Sequence, residues 1–355
     1  MIGCETAPLL VIRPAGPASP RLDVALQAAL AGRNCQVVDH ASEMEVFHGR
    51  RVLFAVALGK SGVNLEWCAL LAWMRTHPGC LDGCLGAVLV DGESELYTKA
   101  VSRELVLAAN LCGCAFIGAP LVESTRTLKN YAVRAANLGT DEYHAYLARA
   151  GTLVERLMNF ELPARAKPKL VVLHASSHSN SNTYVLWKKV RELLPEFEVT
   201  EIGLRNGAVV DCSGCPYRMC LHFGEQGSCF YGGLMVEEVY PAVKAADGVV
   251  MLCPNYNDAM SANLTAFVNR LTALYRTQSF QEKALFGLVV SGYSGSDLVA
   301  QQLIAALNMN KGFYLPPRFT MLETANNAGE VLGLPGIDGR AAEFAAGIRA
   351  VFGDE

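Results

Sequence analysis

The sequence lacks an excess of positive charge and lacks an apolar run long enough to cross a bilayer. Its 355 residues include 30 Lys and Arg against 34 Asp and Glu, a net charge of -4. Nonspecific binding to nucleic acid depends on an excess of positive charge and is therefore not expected. No apolar run approaches the ~20 residues of a membrane span. Residues 1–15 lack a basic start and a continuous apolar core, so no signal peptide is expected. We therefore expect a cytoplasmic protein without nucleic-acid or membrane partners.

The sequence also lacks a P-loop. Gly59, Lys60 and Ser61 resemble the end of one, but the motif needs another glycine five positions before the second Gly, where Phe54 stands. The twelve cysteines show no secretory context, which predicts reduced thiols or metal ligands rather than disulfides. A nucleoside triphosphatase and a disulfide-stabilised secreted domain are thus disfavoured.

The composition and the order of the elements predict two α/β domains. Hydrophobic residues make up 51% of the chain and charged residues 18%, which is typical of a well-buried globular protein. Apolar strand-like runs alternate with helical patterns twice in the same order, which predicts two doubly wound parallel-sheet domains in tandem. Pro163 and Pro168 interrupt helical continuation between them. The expected domains are residues 1–165 and 166–355.

The most informative segment is a strand-like run, 170–173, that leads into a polar loop and then a helix. Unpaired backbone N–H groups and the helix dipole make such a helix start an anion site. The loop has no Lys or Arg, which favours the phosphate of flavin mononucleotide (FMN) over a nucleoside triphosphate. An ordinary N-capped helix is the alternative. Polar side chains that could add hydrogen bonds are Ser176, Ser177, Ser181, Asn182 and Thr183.

Two further strand-like runs, 248–253 and 285–290, also end in distinctive loops. Residues 254–261 contain proline, asparagine and tyrosine, and residues 291–296 alternate serine and glycine around a tyrosine. The carboxyl ends of strands form the ligand crevice of an open parallel sheet. We therefore expect the three loops to line one crevice.

With these three loops, residues 167–353 resemble the flavodoxin-like NAD(P)H-dependent FMN reductases, including the iron-sulfur flavoproteins. In that family the first loop reads G-S-x-R-x-x-G/S-N-T and holds the FMN phosphate, and His178 stands here at the arginine position. The second loop, P-x-Y followed by L-K-x-F-x-D-R, edges the isoalloxazine ring, and the third contacts it from the next strand end. The resemblance implies these FMN-binding residues: Ser176, His178, Ser181, Asn182, Thr183, Pro254, Asn255, Tyr256, Asn257, Ser291, Gly292 and Tyr293.

A Cys-rich insertion, residues 211–233, lies between the second strand and the next helix of this half. Its spacing, C-x2-C-x4-C-x8-C, could supply four thiolates to a [4Fe-4S] cluster or to zinc. Iron-sulfur flavoproteins carry a compact cysteine motif at the same place, and many cluster-free relatives keep C-x-x-C as a thiol loop. An insertion of this length could fold over the crevice beside the flavin. The candidate metal ligands are Cys212, Cys215, Cys220 and Cys229.

The first half of the chain resembles a degenerate repeat of the second. Its strand-like runs fall at 8–12, 52–58 and 86–92, in the same order as those of the second half. In place of the Ser/Asn-rich loop, however, residues 13–21 contain several prolines, which have no N–H to donate to a phosphate. We expect residues 1–165 to be a degenerate flavodoxin-like domain that binds no flavin.

The combined interpretation is an FMN-dependent oxidoreductase. NAD(P)H, as a transient co-substrate, would reduce the flavin, and the flavin would pass electrons to an unknown small-molecule or protein acceptor. The cofactor carries the hydride chemistry, so no catalytic side chain is predicted. One alternative is an iron-sulfur electron carrier that serves ferredoxin-like partners, and another is a flavin-free scaffold. A homo-oligomer is expected.

Overall fold

A computed structural model of the protein describes residues 7–176 and 178–353. Ser177, a candidate donor of the first loop, lies outside these residues. The chain divides into two compact units, Met1–Glu161 and Leu162–Glu355. Each unit is built on its own five-stranded sheet.

The sheet of the first unit has the order β2-β1-β3-β4-β5, and all its strand pairs are parallel. The order 2-1-3-4-5 is that of flavodoxin-like folds. Helix α1 packs with α5, and α2 packs with α3. The bounds of these elements are β1 Leu9–Ile12, α1 Pro20–Leu30, β2 Cys35–Val38, β3 Arg51–Leu58, α2 Leu65–Thr76, β4 Leu85–Gly92, α3 Thr98–Leu111, β5 Ala115–Ser124, α4 Ala132–Leu138 and α5 Glu142–Met158.

The second unit repeats this topology. Its sheet order, β7-β6-β8-β9-β10, is again 2-1-3-4-5 with parallel pairs throughout. Two segments, Met235–Val239 and Ile304–Lys311, are π-helical. The other elements are β6 Lys169–His174, α6 Asn182–Glu192, β7 Glu198–Gly203, α7 Tyr217–Glu225, α8 Tyr240–Ala245, β8 Gly248–Pro254, α9 Ala262–Tyr275, β9 Ala284–Ser291, α10 Ser296–Leu303, β10 Thr320–Thr324 and α11 Ile337–Phe352.

The apolar strands are the reason for this architecture. Strands β8 and β9 are buried almost throughout, as expected for parallel strands covered by helices on both faces. On one face, α6 and α11 pack together over a core that includes Trp187, Phe286 and Phe344. Burial of each such side chain contributes about 1.5–3 kcal/mol. The predicted fold class, two doubly wound flavodoxin-like domains in tandem, is confirmed.

None of the helices formed by the described residues is both long enough and apolar enough to span a membrane.

Candidate functional site

The three predicted loops all leave the carboxyl edge of the second sheet. Strand β6 pairs with β7 on one side and with β8 on the other, and β8 pairs with β9. The chain therefore reverses its direction of winding between β6 and β8. In flavodoxin-like sheets this switch point is where the ligand crevice opens.

The first loop gathers hydroxyl groups at the N-terminus of α6. The Ser176 Oγ donates to Ser181 Oγ at 2.9 Å, and Ser181 Oγ lies 3.2 Å from the Thr183 hydroxyl. Ser181 occupies the N-cap position without a side-chain capping bond, and Thr183 is buried. Backbone N–H groups in the first turn of a helix have no partner within the helix. Hydroxyl groups and backbone N–H groups thus converge at this helix start, an arrangement that suits an anion, and His178 beside them is exposed.

Asn182 belongs to the same loop but uses its amide on the protein itself. Its Nδ2 donates to the carbonyl oxygens of Ala325 and Asn327 at 3.0 and 2.9 Å, and its Oδ1 accepts from the Val331 N–H at 3.3 Å. These bonds fasten the first loop to the segment that follows β10. Asn182 therefore positions two loops and presents no spare amide hydrogen to a ligand.

The second loop is a tight hairpin after β8. Pro254 ends the strand, and the backbones of Tyr256 and Ala259 exchange hydrogen bonds of 3.2 Å. Asn257 and Asp258 between them have φ values of 53° and 58°. Two successive left-handed residues are typical of a type I′ turn, in which Asn and Asp are the tolerated non-glycine residues. The turn leaves the Tyr256 ring exposed.

Asn255 joins the second loop to the third. Its Nδ2 donates to Ser291 Oγ at 3.0 Å and to the Ser294 carbonyl at 2.9 Å. Its Oδ1 is buried and has no hydrogen-bond partner among the described residues, and the same is true of Ser261 Oγ. Buried polar atoms are rarely left unpaired in proteins. These two polar atoms thus lie unsatisfied beneath the surface of the second loop.

The third loop is close-packed except at its tyrosine. A Cβ on Gly292 would lie only 2.9 Å from Asn326 Oδ1, so the loop approaches the segment after β10 too closely for a larger residue. Ser291 is fully buried, whereas Tyr293 is 82% exposed. The Asn326 amide donates to the Tyr293 hydroxyl at 3.2 Å.

This segment after β10 is a fourth loop that the sequence analysis missed. Glu330 fixes it, because its Oε2 accepts from the N–H groups of Asn326 and Asn327 at 2.9 and 2.6 Å. The Ala325 N–H donates to the Ser291 carbonyl at 2.9 Å. The only signal in the sequence was a pair of asparagines directly after an apolar strand.

His174, the last residue of β6, was also missed. Its ring is buried 5.0 Å from that of Tyr184, and its Nδ1 has no partner among the described side chains and backbone groups. Burial holds the pKa of His174 below its usual value; Arg205 lowers it further and Glu201 opposes the shift. The ring is therefore neutral at pH 7, directly beneath the first loop.

The Cys-rich insertion is held at both ends by Arg270. This buried guanidinium donates to the carbonyl oxygens of Val210 at 3.3 Å and of Gly232 at 2.8 Å. Asn269 adds a 3.0 Å bond to the Asp211 carboxylate. The arginine of the L-x-x-F-x-x-R pattern thus closes the insertion at its base.

The body of the insertion lies along α9 rather than over the crevice. A Cβ on Gly224 of α7 would lie 2.6 Å from the Ala273 carbonyl, and the Arg276 Nε donates to Cys220 Sγ at 3.2 Å. At about 1.5 Å per residue, Arg276 is roughly 20 Å from the start of α9, where the crevice is. The expectation that the insertion folds over the crevice is therefore wrong for Cys220. Its physical reason is the close packing of α7 on the far half of α9.

The described residues contain no group of three or more His, Cys, Asp or Glu side chains that could hold a metal ion. Cys212 is exposed, and the thiols of Cys215, Cys220 and Cys229 are half-buried and free. The four candidate ligands share one segment, but their arrangement does not fit a metal ion. We assign no chemical step to a metal here.

The corresponding crevice of the first unit is filled by an ion pair. Arg21, in the first turn of α1, donates to Asp91 Oδ2 at 2.6 Å and to the Gly92 carbonyl at 3.2 Å. The Ser124 hydroxyl also donates to the buried Asp91 carboxylate. These bonds join the helix start after β1 directly to the ends of β4 and β5.

The loops of the first unit also pack tightly against each other. A Cβ on Gly16 would lie 2.7 Å from the Asn64 amide, and one on Gly62 would lie 2.3 Å from the Tyr97 ring. Asn64 is itself buried and donates to the Ala57 carbonyl at 3.0 Å. Side chains of the first unit thus occupy the space between its strand ends.

Comparison with known proteins gives a match in the second unit. Residues 168–327 match the NADPH-dependent FMN reductase family. An iron-sulfur flavoprotein from Archaeoglobus fulgidus is 28% identical over 146 residues, which cover 40% of this chain and 72% of that protein. The resemblance predicted from the three loops is confirmed, because the family model matches the residues that contain them.

Similar solved structures include two oxidoreductases. An NAD(P)H:quinone oxidoreductase from Methanothermobacter marburgensis is 15% identical, with a TM-score of 0.38, and the match covers 53% of this chain and 96% of that one. An FMN-dependent NADH-azoreductase from Bacillus anthracis in complex with FMN is 13% identical, with a TM-score of 0.36 and coverage of 52% and 99%.

Proposed function

We propose that FMN binds between the loops that follow β6, β8 and β9, and that NAD(P)H reduces it there. The hydroxyl cluster at the N-terminus of α6 is the observation that carries this proposal. It lies at the switch point of the sheet, and its donors suit a phosphate without a neighbouring cation. The family match over residues 168–327 supports the same cofactor.

The polar atoms of the crevice fit the two ends of FMN. The hydroxyls of Ser176, Ser181 and Thr183 are bonded to one another, and each would donate to the phosphate after rotating away from its neighbour, together with the N–H groups at the start of α6. The unpaired Oδ1 of Asn255 is shielded from solvent, and a shift of the second loop would let it accept from an N–H of the ring. A phosphate donor set at one loop and a ring acceptor at the next are what FMN requires.

Bound FMN would supply the hydride and electron chemistry, and the chain would bind and orient it. Asn182 and Asn255 would hold the loops in register with one another through their amide bonds. The exposed rings of Tyr256 and Tyr293 flank a crevice that is open to a second planar ligand. We propose that NAD(P)H and the electron acceptor, a small molecule or a protein, use that opening in turn.

The test is the absorbance of the purified protein, followed by titration of the apoprotein with FMN. We expect flavin bands, binding of one FMN per chain, and flavin bleaching on anaerobic addition of NADH or NADPH. Failure of the apoprotein to bind FMN would contradict the proposal and leave the flavin-free scaffold. Elution volume during the same purification tests the expected homo-oligomer.

We further propose that residues 1–165 form a domain that binds no flavin, and that residues 166–355 form the reductase domain. The Arg21–Asp91 ion pair supports the first statement, because it spans the position at which a flavin would enter. A flavin content close to two per chain would contradict it.

A second candidate, an iron-sulfur electron carrier, rests on the four cysteines of residues 211–233 and on the name of the Archaeoglobus fulgidus relative. It requires the insertion to rearrange, because the described thiols do not form a metal-binding group. Anaerobic preparation with iron and sulfide analysis tests it. About four iron and four sulfide per chain, lost in Cys215→Ser with FMN retained, would establish a [4Fe-4S] cluster. Stoichiometric zinc would indicate a structural site instead.

A further inference from the structure

Gln302 lies on α10, outside all three flavin loops, yet its side chain forms two hydrogen bonds with the second loop. Its Oε1 accepts from the Met260 N–H at 3.0 Å, and its Nε2 donates to the Asp258 carbonyl at 2.9 Å. One side-chain amide thus pairs with an acceptor and a donor two residues apart. A neighbouring β-strand pairs with backbone groups in the same alternation.

The segment that Gln302 contacts is the turn of the hairpin. Asn257 and Asp258 both have left-handed backbones, which Asn and Asp tolerate better than other non-glycine residues, and the turn still needs contacts that fix its orientation. On the other side of the turn, Asn255 bonds to Ser291 and Ser294. The hairpin is therefore held from two directions, by Asn255 and by Gln302 of α10.

Helix α10 makes this contact rigid. The helix starts at the end of the third loop, with Gly295 at its N-cap. A Cβ on Gly295 would lie 2.2 Å from Asp258 Oδ1, so the start of the helix already touches the hairpin. Gln302, near the other end of the helix, adds a second anchor point that prevents the hairpin from rotating about the first.

We infer that Gln302 is a positioning residue, which fixes the hairpin of residues 256–259 in the orientation that the flavin ring requires. The inference rests on the proposed function, because it needs FMN in this crevice. It acts on the ring end of the site alone, since Gln302 makes no bond to the first loop in the described structure. Its loss should therefore affect the ring and spare the phosphate contacts.

The experiment compares FMN with riboflavin, which has the same ring and no phosphate. Gln302→Met keeps the length of the side chain and removes both bonds. It should weaken binding of FMN and of riboflavin by the same factor, about tenfold for two lost hydrogen bonds. Thr183→Val, at the phosphate end, should weaken the binding of FMN and leave the affinity for riboflavin unchanged. Gln301→Met, at the preceding residue of the same helix, is the matched control.

A purely structural role would lower the unfolding temperature of the apoprotein without changing the surroundings of bound flavin. We expect the reverse in Gln302→Met: a nearly unchanged unfolding temperature, and a shifted visible absorption maximum at saturating FMN. Gln302→Glu retains the acceptor and loses the donor, and serves if the methionine variant does not fold. This variant should weaken the binding of FMN and of riboflavin by the same factor.

Wild-type affinity for both ligands in the Gln302 variants would overturn the inference, as would a loss confined to FMN. Neither of these two outcomes contradicts the proposed function, provided that the wild-type protein binds FMN normally. If the wild-type apoprotein binds neither ligand, the proposed function and this inference both fail.

Discussion

The two units share one strand order and differ in what stands at the carboxyl edge of the sheet. In the second unit, the helix after the first strand begins at a cluster of hydroxyl groups. In the first unit, the corresponding helix begins with Pro20 and Arg21, and the guanidinium is bonded to Asp91. The sheet topology thus determines where a crevice can form. The first turn of one helix determines whether the crevice receives a ligand or a side chain of the same chain.

The contacts between loops differ in the same sense. In the first unit, Gly16 and Gly62 allow neighbouring side chains to close the space between the loops. In the second unit, amide groups join the loops and leave Asn255 Oδ1 and Ser261 Oγ buried and unpaired. An edge whose loops are closed by side chains of the same unit is expected to be stable without a ligand. An edge with unpaired atoms gains stability when a ligand satisfies them.

The largest effect should follow from breaking the ion pair of the first unit. Arg21→Met leaves the nearly buried Asp91 carboxylate without its cation, which costs about 3–5 kcal/mol in a buried pair. Urea unfolding of the holoprotein, followed by far-UV circular dichroism, should show this loss of stability. FMN content should be unchanged, and released flavin would show that the first unit participates in binding.

The next largest effect, on the binding of FMN, should follow from changing Asn182 and Thr183 in the second unit. Asn182→Ala removes three bonds between the first and fourth loops, and Thr183→Val removes a donor to the phosphate. A hydrogen bond to a charged group contributes about 1.5–3 kcal/mol, so Thr183→Val should weaken binding of FMN at least tenfold. Asn182→Ala should weaken it indirectly, by releasing the first loop from the fourth, and the double variant should be purified without flavin. Unchanged flavin content in the double variant would contradict the placement of FMN.

A matched pair of glycine substitutions tests both edges with the same perturbation. Gly62→Ala and Gly295→Ala each place a methyl group on a left-handed backbone, at φ of 75° and 86°, and against a neighbouring loop. Each should cost about 1–2 kcal/mol of stability, measured by thermal unfolding of the apoprotein. Only Gly295→Ala should also weaken FMN, because only its neighbour Asp258 lies in a flavin loop. Equal FMN affinity in the two variants would remove the distinction between the edges.

The smallest effect concerns pH. Burial lowers the pKa of His174 in the folded protein, so the unfolded chain binds a proton more readily as pH falls through its ordinary value of 6.5. The stability contributed by neutral His174 is present above that pH and declines below it, until the lowered folded pKa is reached. The unfolding temperature of wild type should therefore fall more between pH 7.5 and 5.5 than that of His174→Gln. Equal declines would contradict this assignment.

The sequence was sufficient to predict the two sheets and the three loops. Buried parallel strands appear as continuous apolar runs, and the residues directly after them must lie at one edge. The roles of Asn182 and Arg21 could not be predicted in this way. Asn182 bonds to residues more than 140 positions away, and Arg21 to a carboxylate 70 positions away, so their partners depend on tertiary packing.

The course of the Cys-rich insertion was also beyond the sequence. Cysteine spacing restricts which thiols can meet, but it does not specify the direction in which the segment leaves the sheet. That direction depends on Gly224, whose missing side chain lets α7 approach the Ala273 carbonyl. A small residue in a helix has many explanations in sequence alone, and only the packing identifies this one.

The two hydrogen bonds of Arg270 to the ends of the Cys-rich insertion have a consequence for the lengths that the insertion can have. One guanidinium binds the carbonyl oxygens of Val210 and Gly232, so the chain between them leaves and rejoins the domain at a single point. Closing a loop of twice the length there costs only about 0.6 kcal/mol more. A longer or shorter segment would therefore start and end at the same place on the domain, and what it would lose is the packing of α7 on α9.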